Sequence, residues 1–352
     1  MSTAPTTFHG WACHGKDEPM VWEELKLRAE DDYSVDMDIS HCGICGSDVH
    51  TMDANWSQPD YPVCVGHEIA GVCTRVGSKV THIKVGDRIG VGAQSGACHQ
   101  CKPCLAGFEN LCRGGPRAWV GTYNGRWPNG DKSFGGYADR WRGDARFVFK
   151  IPDTLTNEVA CTFFCAGVTT YAPLKRHKVG PDSVVGVMGI GGLGHYGILW
   201  AKAMGAKVVG MSHSDRKKDV AMELGCDDFV VTSDAESLAN HKGELTHILC
   251  TGTSSDFKWE TYVPLFRPNG IFINVGIPEW NFPEISPMLL AMSQVTICGS
   301  AIGSPAEIED MLKFAAEHNV RPWLQKYPMK EAPKAIADFK AGKPRFRFVL
   351  EN

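Results

Sequence analysis

The chain has 352 residues, of which 43% are hydrophobic and 22% are charged, and its formal net charge is -4. Because a typical domain holds roughly 100–200 residues, this length predicts two domains. The composition is typical of a soluble globular protein without the basic excess that binding to a phosphate backbone requires, so we expect no nucleic-acid partner.

The start of the chain, "MSTAPTTFHGW", has no apolar segment behind a basic one. No apolar run reaches the roughly 18 residues that a membrane span needs. We therefore expect a cytoplasmic protein without a membrane partner. The fourteen cysteines favour metal ligands and buried thiols over disulfides, because disulfide frameworks belong mainly to small secreted domains.

Two sequence patterns follow each other along the chain. Up to about Pro152 short β-branched runs such as "DYSVDMDI" and "RFVFKIP" alternate with glycine-rich turns, which predicts a mostly β region. From about Asn157 apolar strands such as "SVVGVMG" and "IFINVG" alternate with helical stretches such as "RKKDVAMELG". This alternation predicts βαβ units on a parallel sheet. The tail holds a helix, "AEIEDMLKFAAEHN", and a last strand in "RFRFVLEN".

An open metal site is predicted from two segments of the β-rich region, "HCGICGSDVH" and "GHEIAG". Cys45 and His67 are residue types that bind zinc well. A third protein ligand from a distant part of the chain would complete a Cys2His site, which keeps its fourth position for water or substrate. The candidate is Cys165 in "FFCAGVTTY".

A second metal site is predicted in "ACHQCKPCLAGFENLC", where four cysteines have the spacing C-x2-C-x2-C-x7-C: Cys98, Cys101, Cys104 and Cys112. Four thiolates around one ion leave no open position, so this site should be structural and should supply folding energy to its loop. His99 is a competing ligand, which we expect to be exposed. An iron–sulfur cluster or unligated thiols are the alternatives.

A dinucleotide site is predicted in "VVGVMGIGGLGHYG", where four glycines stand between an apolar strand and a helix: Gly189, Gly191, Gly192 and Gly194. At the end of the next strand, where an NAD enzyme carries an acid, the chain has Ser212. Asp215 could serve a ribose, but Arg216 and Lys217 beside it favour an added 2′-phosphate. The alternative interpretation of these cations is a solvated helix start.

Taken together, these segments resemble those of a known family, the zinc-dependent medium-chain alcohol dehydrogenases. Within it the sequence is most similar to the cinnamyl alcohol dehydrogenase type, which has broad-range NADP-linked members. The resemblance covers nearly the whole chain. It depends on "GICGSDVH", on "GHEIAGVCTRVGSKV", on the four-cysteine segment and on "GIGGLG", which occur in the order found in the family.

The resemblance implies roles for individual residues. Cys45, His67 and Cys165 would bind the catalytic zinc, and Glu68 would be a nearby carboxylate that can replace the zinc-bound water. The resemblance further implies that Asp48 orients His67, while Ser47 and His50 form a proton relay from the substrate oxygen toward solvent. The cofactor-binding residues would be the four glycines with Leu193, Ser212, Arg216, Lys217, Thr251, Val275 and Ser300. The substrate pocket would include Thr51, Trp56, Trp119 and Ile302.

The resemblance also implies the fold, an α/β protein with a doubly wound Rossmann sheet and a discontinuous, mostly β catalytic domain built as a GroES-like, partly open barrel. We predict the catalytic domain at residues 1–155 and 300–352 and the Rossmann domain at 156–299. Ala301 stands where plant enzymes of this type usually carry a larger aromatic residue, which indicates a wider pocket.

The function expected from these observations is hydride transfer between NADP(H) and a primary alcohol/aldehyde pair. The protein would act as an aldehyde reductase on aromatic or medium-chain aldehydes, with two zinc ions per chain, as a homodimer. One alternative is a 1,4-reductase of conjugated carbonyls, which the Ser47 and His50 relay disfavours. The other is a non-catalytic zinc-bound regulatory or structural protein on the same fold.

Overall fold

The computed structural model describes residues 5–352 and divides the chain into two compact units. The first runs up to Val168 and resumes in Ile302–Glu317 and Trp323–Asn352, and the second holds Thr169–Ala301 and His318–Pro322. The sequence pattern places the domain boundaries at 155/156 and 299/300. These boundaries stay a prediction. Within residues 5–352, no helix combines the length and the apolar character needed to cross a bilayer.

The first unit is mostly β up to Lys150. Its strands are β1 Thr7–Cys13, β2 Val21–Lys26, β3 Ser34–Gly43, β4 Val63–Cys64, β5 Ile69–Val76, β6 Arg88–Val91, β7 Gln94–Gly96, β8 Val120–Gly121, β9 Arg140–Asp144 and β10 Val148–Lys150. Two short helices lie between them, α1 Gly46–Met52 and α2 Lys102–Leu105. The 3-10 turns Glu109–Leu111 and Ala145–Phe147 complete this part.

Strand β3 is at the centre of the main sheet of this unit, and its residue pattern is typical of a strand. Its apolar residues Val35, Met37 and Ile39 alternate and are buried, as expected of a strand with one face in the core. Between them Asp36 is also buried, but its carboxylate receives Arg142 Nε at 2.5 Å and Arg142 Nη2 at 2.7 Å. Asp36 and Arg142 are opposite each other in the antiparallel register of β3 and β9, so the buried charges are paired.

A helical segment follows the β-rich part and changes its hydrogen-bonding pattern in the middle. Helix α3, Asn157–Thr162, continues into a π-helical stretch at Phe163–Gly167 and then into α4, Val168–Arg176. Single π turns inside helices are rare and occur often at functional sites. The stretch contains Cys165, the predicted third metal ligand.

The second unit alternates strands and helices as predicted. Its elements after α4 are β11 Val184–Met188, α5 Gly194–Ala203, β12 Lys207–Ser212, α6 Lys218–Glu223, β13 Asp228–Val231, α7 Ala235–Asn240, β14 Leu245–Cys250, α8 Trp259–Tyr262, β15 Phe266–Asn274, α9 Pro287–Ser293 and β16 Thr296–Gly299. The strands pair in parallel in the order β13-β12-β11-β14-β15-β16. The order reverses between β11 and β14, and ligands of such sheets bind at the carboxyl ends of the strands beside this point.

The C-terminal part returns to the first unit. It contains α10 Pro305–Glu317, β17 Leu324–Pro328, α11 Ala332–Lys340 and β18 Arg347–Glu351. Strand β18 pairs antiparallel with β3 and parallel with β17, which gives the sheet order β10-β6-β5-β3-β18-β17 with β9 on β3. The end of the chain therefore lies beside the strand that leads to Cys45.

Candidate metal centres and dinucleotide site

Three predicted metal ligands from separate parts of the first unit meet in the structure. Cys45 is the N-cap of α1, His67 follows β4, and Cys165 lies in the π-helical stretch. Their ligand atoms all lie within 4.8 Å of one another, and His67 Nε2 is 3.1 Å from Cys165 Sγ. Two thiols and one imidazole at these distances fit a zinc ion with one position left for another ligand.

The buried carboxylate of Asp48 holds this group together. Its Oδ1 lies 2.9 Å from His67 Nδ1 and accepts from the Gly66 backbone N–H at 3.1 Å. Its Oδ2 accepts from the Cys45 backbone N–H at 2.9 Å and from the Tyr137 hydroxyl at 2.9 Å. A proton on His67 Nδ1 leaves Nε2 free to bind a metal, which is how carboxylates commonly orient ligating imidazoles.

Neighbouring groups shift the pKa of each of the three ligand side chains. A hydrogen bond from Cys165 and the charge of His67 hold the pKa of Cys45 well below its ordinary value, despite burial. The same hydrogen bond, together with burial, raises the pKa of Cys165. Burial disfavours the His67 cation, but Asp48 and Cys45 raise its pKa well above the usual range. Metal binding at this site would therefore displace protons from the ligand set.

Glu68 lies beside these ligands with its carboxylate engaged elsewhere. The side chain is fully buried, one oxygen accepts from the Ala166 backbone N–H at 3.2 Å, and the other is paired with the Arg347 guanidinium. Burial raises the pKa of Glu68 to about 7, although Arg347 opposes this effect. A Cβ at Gly43 would stand 2.0 Å from Glu68 Oε2, so this packing requires glycine there. The predicted metal role of Glu68 stays a prediction.

The two predicted relay residues lie on α1. Ser47 Oγ is 3.7 Å from Cys45 Sγ, so its hydroxyl is next to a metal ligand. His50 is one helical turn further, its Nδ1 lies 3.2 Å from Asn55 Nδ2, and its ring stacks on Trp56 at 4.7 Å between centroids. Ser47 and His50 share a face of the helix because they are three residues apart. Their roles as a relay stay a prediction.

The predicted pocket residues Thr51, Trp56 and Trp119 each contact a different neighbour. The Thr51 hydroxyl interacts with Tyr123, whose ring lies 5.4 Å from that of His67. Trp56 is 43% exposed and covers His50. Trp119 Nε1 donates to the Asn110 carbonyl at 3.1 Å, which ties this side chain to the four-cysteine segment. The structure thus brings Thr51 and Trp56 close to the relay residues, and the substrate role of this set stays a prediction.

Ile302 has an unusual backbone conformation, with φ 42°. This left-handed region is a genuine outlier for a β-branched residue. Strain of this kind persists only where the surrounding structure fixes it, and it is concentrated at functional sites. The predicted pocket role of Ile302 stays a prediction.

The four-cysteine segment forms a compact sulfur cluster. Cys101 Sγ lies 3.4 Å from Cys104 Sγ and 3.9 Å from Cys112 Sγ, and Cys98 Sγ lies 3.9 Å from Cys104 Sγ. A tetrahedral ion with bonds of about 2.3 Å to sulfur places the sulfurs roughly 3.8 Å apart, so one zinc ion fits. An iron–sulfur cluster, in which the cysteines bind different irons, would need a wider arrangement.

Backbone groups in this segment are aimed at the sulfurs. The N–H of Cys101 donates to Cys98 Sγ at 3.3 Å, and the N–H of Arg113 donates to Cys101 Sγ at 3.4 Å. Backbone donors from Cys104 and Arg113 lower the pKa of Cys101 to about 6. His99 is half-buried against Phe147 instead of exposed, and it lies outside the sulfur cluster. Our expectation for its exposure was wrong, because the ring packs on Phe147 at 5.8 Å between centroids.

The glycine-rich turn links β11 to α5 in the second unit, at the reversal of strand order. Gly189 has φ 86°, a conformation that favours glycine. A Cβ at Gly194 would stand 1.9 Å from the Gly189 carbonyl oxygen, so the helix can approach the strand only without a side chain. A Cβ at Gly191 would meet nothing within 4 Å, which leaves its backbone open to a phosphate. The residues fit a dinucleotide at the helix N-terminus.

Other predicted cofactor residues lie at the carboxyl ends of the neighbouring strands. Thr251 Oγ1 donates to the Gly189 carbonyl at 2.6 Å and fixes the turn, while the Val275 N–H donates to Cys250 O at 2.9 Å. The Ser300 N–H donates to Asn274 O at 3.0 Å. These contacts bring the ends of β11, β14, β15 and β16 to one edge, and the individual cofactor contacts stay predictions.

Sequence reasoning did not predict four residues that contact the candidate site. Tyr137 and Arg347 hold the carboxylates of Asp48 and Glu68, Asn55 contacts His50, and Tyr123 packs on His67. Each comes from a segment without a metal-ligand pattern of its own, so no spacing rule identifies them.

Comparisons with known proteins agree with this geometry. Residues 31–153 match the family described as alcohol dehydrogenase GroES-like domain, and residues 192–317 match the family described as zinc-binding dehydrogenase. The chain is 39% identical over 347 residues to NADP-dependent alcohol dehydrogenase C 1 of Mycolicibacterium smegmatis, covering 99% of this chain and 98% of the relative.

Two solved structures are similar over almost their whole length. A cinnamyl alcohol dehydrogenase from Sorghum bicolor is 34% identical with a TM-score of 0.92, covering 98% of this chain and 97% of that one. An enzyme described as CAD from Helicobacter pylori, complexed with NADP(H), is 31% identical with a TM-score of 0.89 and covers 98% of both chains. The predicted fold class is confirmed, and the chain belongs to the zinc-dependent medium-chain alcohol dehydrogenases of the cinnamyl alcohol dehydrogenase type, a family of oxidoreductases.

Proposed function

We propose that this protein is an NADP(H)-linked aldehyde reductase that acts on aromatic or medium-chain aldehydes and binds two zinc ions per chain. The observation that carries the proposal is the group of Cys45, His67 and Cys165, which within residues 5–352 forms a set of three ligands. Zinc would polarise the carbonyl oxygen as a Lewis acid, and NADPH would supply the hydride.

The chain's own residues prepare the metal ligands for this chemistry. Asp48 accepts a hydrogen bond from His67 Nδ1–H, so that Nε2 keeps its lone pair for the metal. Tyr137 and two backbone N–H groups fix the Asp48 carboxylate in turn. The pairing of Glu68 with Arg347 and Ala166 supports an open fourth position in this conformation.

Reduction of an aldehyde adds one hydride to carbon and one proton to oxygen, so the protein has to deliver a proton. Ser47, whose hydroxyl is next to the Cys45 sulfur, donates this proton to the substrate oxygen. His50 then returns a proton to Ser47 and exchanges with solvent. Histidine suits this step because its charge changes readily near neutral pH. Asn55 and Trp56 hold the imidazole in place through a hydrogen bond and a stacked ring.

The position of hydride addition separates this proposal from a 1,4-reductase on the same fold. The protein would be given NADPH deuterated at the transferred position and a conjugated aromatic aldehyde such as cinnamaldehyde. We expect an alcohol with deuterium at C1, because the proton relay serves the carbonyl oxygen. Deuterium at the β-carbon of a saturated aldehyde would contradict the proposal. Absence of deuterium transfer to any aldehyde would favour the non-catalytic alternative.

We further propose that the protein forms a homodimer through the second unit. Strand β16 is at the edge of the parallel sheet, and Ile297 on it is 39% exposed. On α9, Met288 and Met292 are 69% and 77% exposed. An exposed apolar edge strand is suited to pairing with another copy of itself. Sedimentation should give about twice the chain mass of 38.5 kDa, and Ile297→Lys should shift the protein toward monomer.

A cytoplasmic location is also part of the proposal. The two ligand sets contain six cysteines that bind metal only as thiolates: Cys45, Cys165, Cys98, Cys101, Cys104 and Cys112. A reducing compartment keeps such thiols available. Fractionation of the source cells with a specific antibody would test the location.

A further inference from the structure

One half-buried thiol lies outside the two candidate metal sites. Of the fourteen cysteines, ten are buried and four are half-buried. Three of these four, Cys45, Cys98 and Cys101, belong to the candidate metal sites, where a zinc ion would occupy their sulfurs. The fourth is Cys298 on β16, the edge strand of the parallel sheet. Cys298 is therefore the half-buried thiol that a metal would leave open to reaction.

An imidazole from another segment of the second unit contacts this sulfur. Cys298 Sγ lies 3.3 Å from His177 Nε2 and 3.6 Å from the Phe272 carbonyl oxygen. His177 directly follows α4 and is half-buried. The contact is made by side chains on one face of the sheet, whereas pairing of the edge strand with a second copy would use backbone groups. A thiol beside an imidazole is an arrangement in which a base activates a cysteine nucleophile.

Backbone hydrogen bonds hold His177 in this position. Its N–H donates to the Pro173 carbonyl at 3.0 Å, and its own carbonyl accepts from His247 Nε2 at 3.1 Å. Neither bond uses the imidazole of His177. The ring can therefore be replaced while the backbone contacts of this segment remain.

The charges around the pair favour the uncharged form of both side chains near neutral pH. Burial raises the pKa of the Cys298 thiol, although the charge of Arg176 opposes this effect. Burial and the same charge lower the pKa of His177. Arg176 is held close to β16, because its Nη2 donates to Ser300 Oγ at 3.1 Å. The sulfur thus carries its proton at rest and stands next to a neutral imidazole that can accept it.

We propose that Cys298 is a modification site for α,β-unsaturated aldehydes, at which His177 acts as the base that removes the thiol proton. The inference goes beyond the proposed function, because the addition uses neither zinc nor NADP(H). The chemical class follows from the polarisable sulfur, which is a soft nucleophile and adds to the electron-poor β-carbon of a conjugated aldehyde.

The addition balances without an oxidant or a reductant. The Cys298 sulfur forms a bond to the β-carbon while its proton moves to His177 Nε2. The π electrons of the carbon–carbon double bond shift toward the carbonyl oxygen and give an enolate. His177 then returns the proton to the α-carbon, which restores the aldehyde and leaves a thioether on Cys298.

The test maps the modified cysteines in the zinc-loaded protein without NADP(H). The protein would be incubated with cinnamaldehyde near neutral pH, treated with borohydride to fix the adduct, and digested for peptide mass spectrometry. We expect a thioether at Cys298 before one at any other cysteine. The matched aldehyde without the double bond, 3-phenylpropanal, should give no thioether, and Cys298→Ser should remove the first adduct.

Two histidine variants test the role of the base. His177→Gln should slow the modification of Cys298 at least on the order of tenfold, a smaller effect than the full range for acid–base groups because water can partly replace the imidazole. His14→Gln, which changes an exposed histidine of the first unit, should leave the rate unchanged. Melting temperatures of the variants would show that the fold is kept.

Two results would overturn the inference: a first thioether at another cysteine, or an unchanged rate in a folded His177→Gln protein. If His177→Gln does not fold, the order of modification in the unmutated protein decides. Because the assay contains no cofactor, each of these results leaves the proposed function intact.

Discussion

The contacts of Asp48 make the exchange Asp48→Asn a sharp test of the metal centre. The carboxylate is fully buried and accepts two hydrogen bonds on each oxygen. An amide of the same shape presents one oxygen, so two of the four donors lose their acceptor. If the oxygen stays on His67 and Gly66, the Cys45 N–H and the Tyr137 hydroxyl face an NH2 group.

The cost follows from the number of lost bonds. Each hydrogen bond to a charged group contributes about 1.5–3 kcal/mol, so two of them set an upper range of about 3–6 kcal/mol. Because the amide and its neighbours can relax, we expect the free energy of unfolding to fall by about 3 kcal/mol. Loss of the carboxylate behind a ligating imidazole should also lower zinc affinity or activity by about 10–100-fold.

The assay combines denaturant unfolding with competition between the protein and a chromogenic zinc chelator. Asp38→Asn is the matched control, because Asp38 forms an exposed pair with Arg140 at 3.2 Å, and such pairs contribute about 0–1 kcal/mol. Tyr137→Phe removes one donor and should have a smaller effect than Asp48→Asn. An Asp48→Asn protein with unchanged stability and zinc affinity would refute the role given to this carboxylate.

Three other outcomes are expected. Cys45→Ser should abolish turnover and leave the melting temperature within a few degrees, whereas Cys104→Ser should lower the melting temperature first and remove one zinc per chain. Thermal unfolding and metal analysis of both variants would show the difference, and equal effects would argue against unequal sites. His50→Gln should lower kcat by about 10–100-fold, below the full range for acid–base groups because water can partly replace the imidazole. An unchanged rate and pH profile would place the relay elsewhere. Gly194→Ala should destabilise the second unit, because its Cβ would stand 1.9 Å from a carbonyl oxygen, whereas Gly191→Ala should keep stability and weaken nucleotide binding. Melting curves with and without NADPH would separate these two effects.

The fold class and the family could be predicted from the sequence because the informative residues are close together in the chain. The glycine-rich turn and the four-cysteine segment each fit within a single stretch, so spacing alone indicates their chemistry. Alternation of strands and helices likewise predicts the parallel sheet, which the structure has. The residues themselves left Cys165 as one candidate, and the family resemblance assigned it.

The supporting residues could not be predicted, because they depend on contacts across the sheet. Arg347 reaches Glu68 from 279 positions away, since β18 pairs with β3. Tyr137 reaches Asp48 from 89 positions away. Lys217 is a different case, because its place beside Arg216 predicts a phosphate ligand, and in the structure its Nζ donates to the Ile190 carbonyl of the glycine-rich turn. The sequence pattern does not predict this contact, and the role of Lys217 toward a phosphate stays a prediction.

The most direct test of the central claim is the activity of the protein as its zinc is removed and restored. The rate of NADPH oxidation with an aromatic aldehyde would be followed while a chelator removes metal, with zinc per chain measured in the same samples. We expect two zinc ions at the start, complete loss of activity when the ion of Cys45, His67 and Cys165 is removed, and full recovery when zinc is added back. Full activity in protein that holds only the four-cysteine zinc would contradict the assignment of catalysis to Cys45, His67 and Cys165.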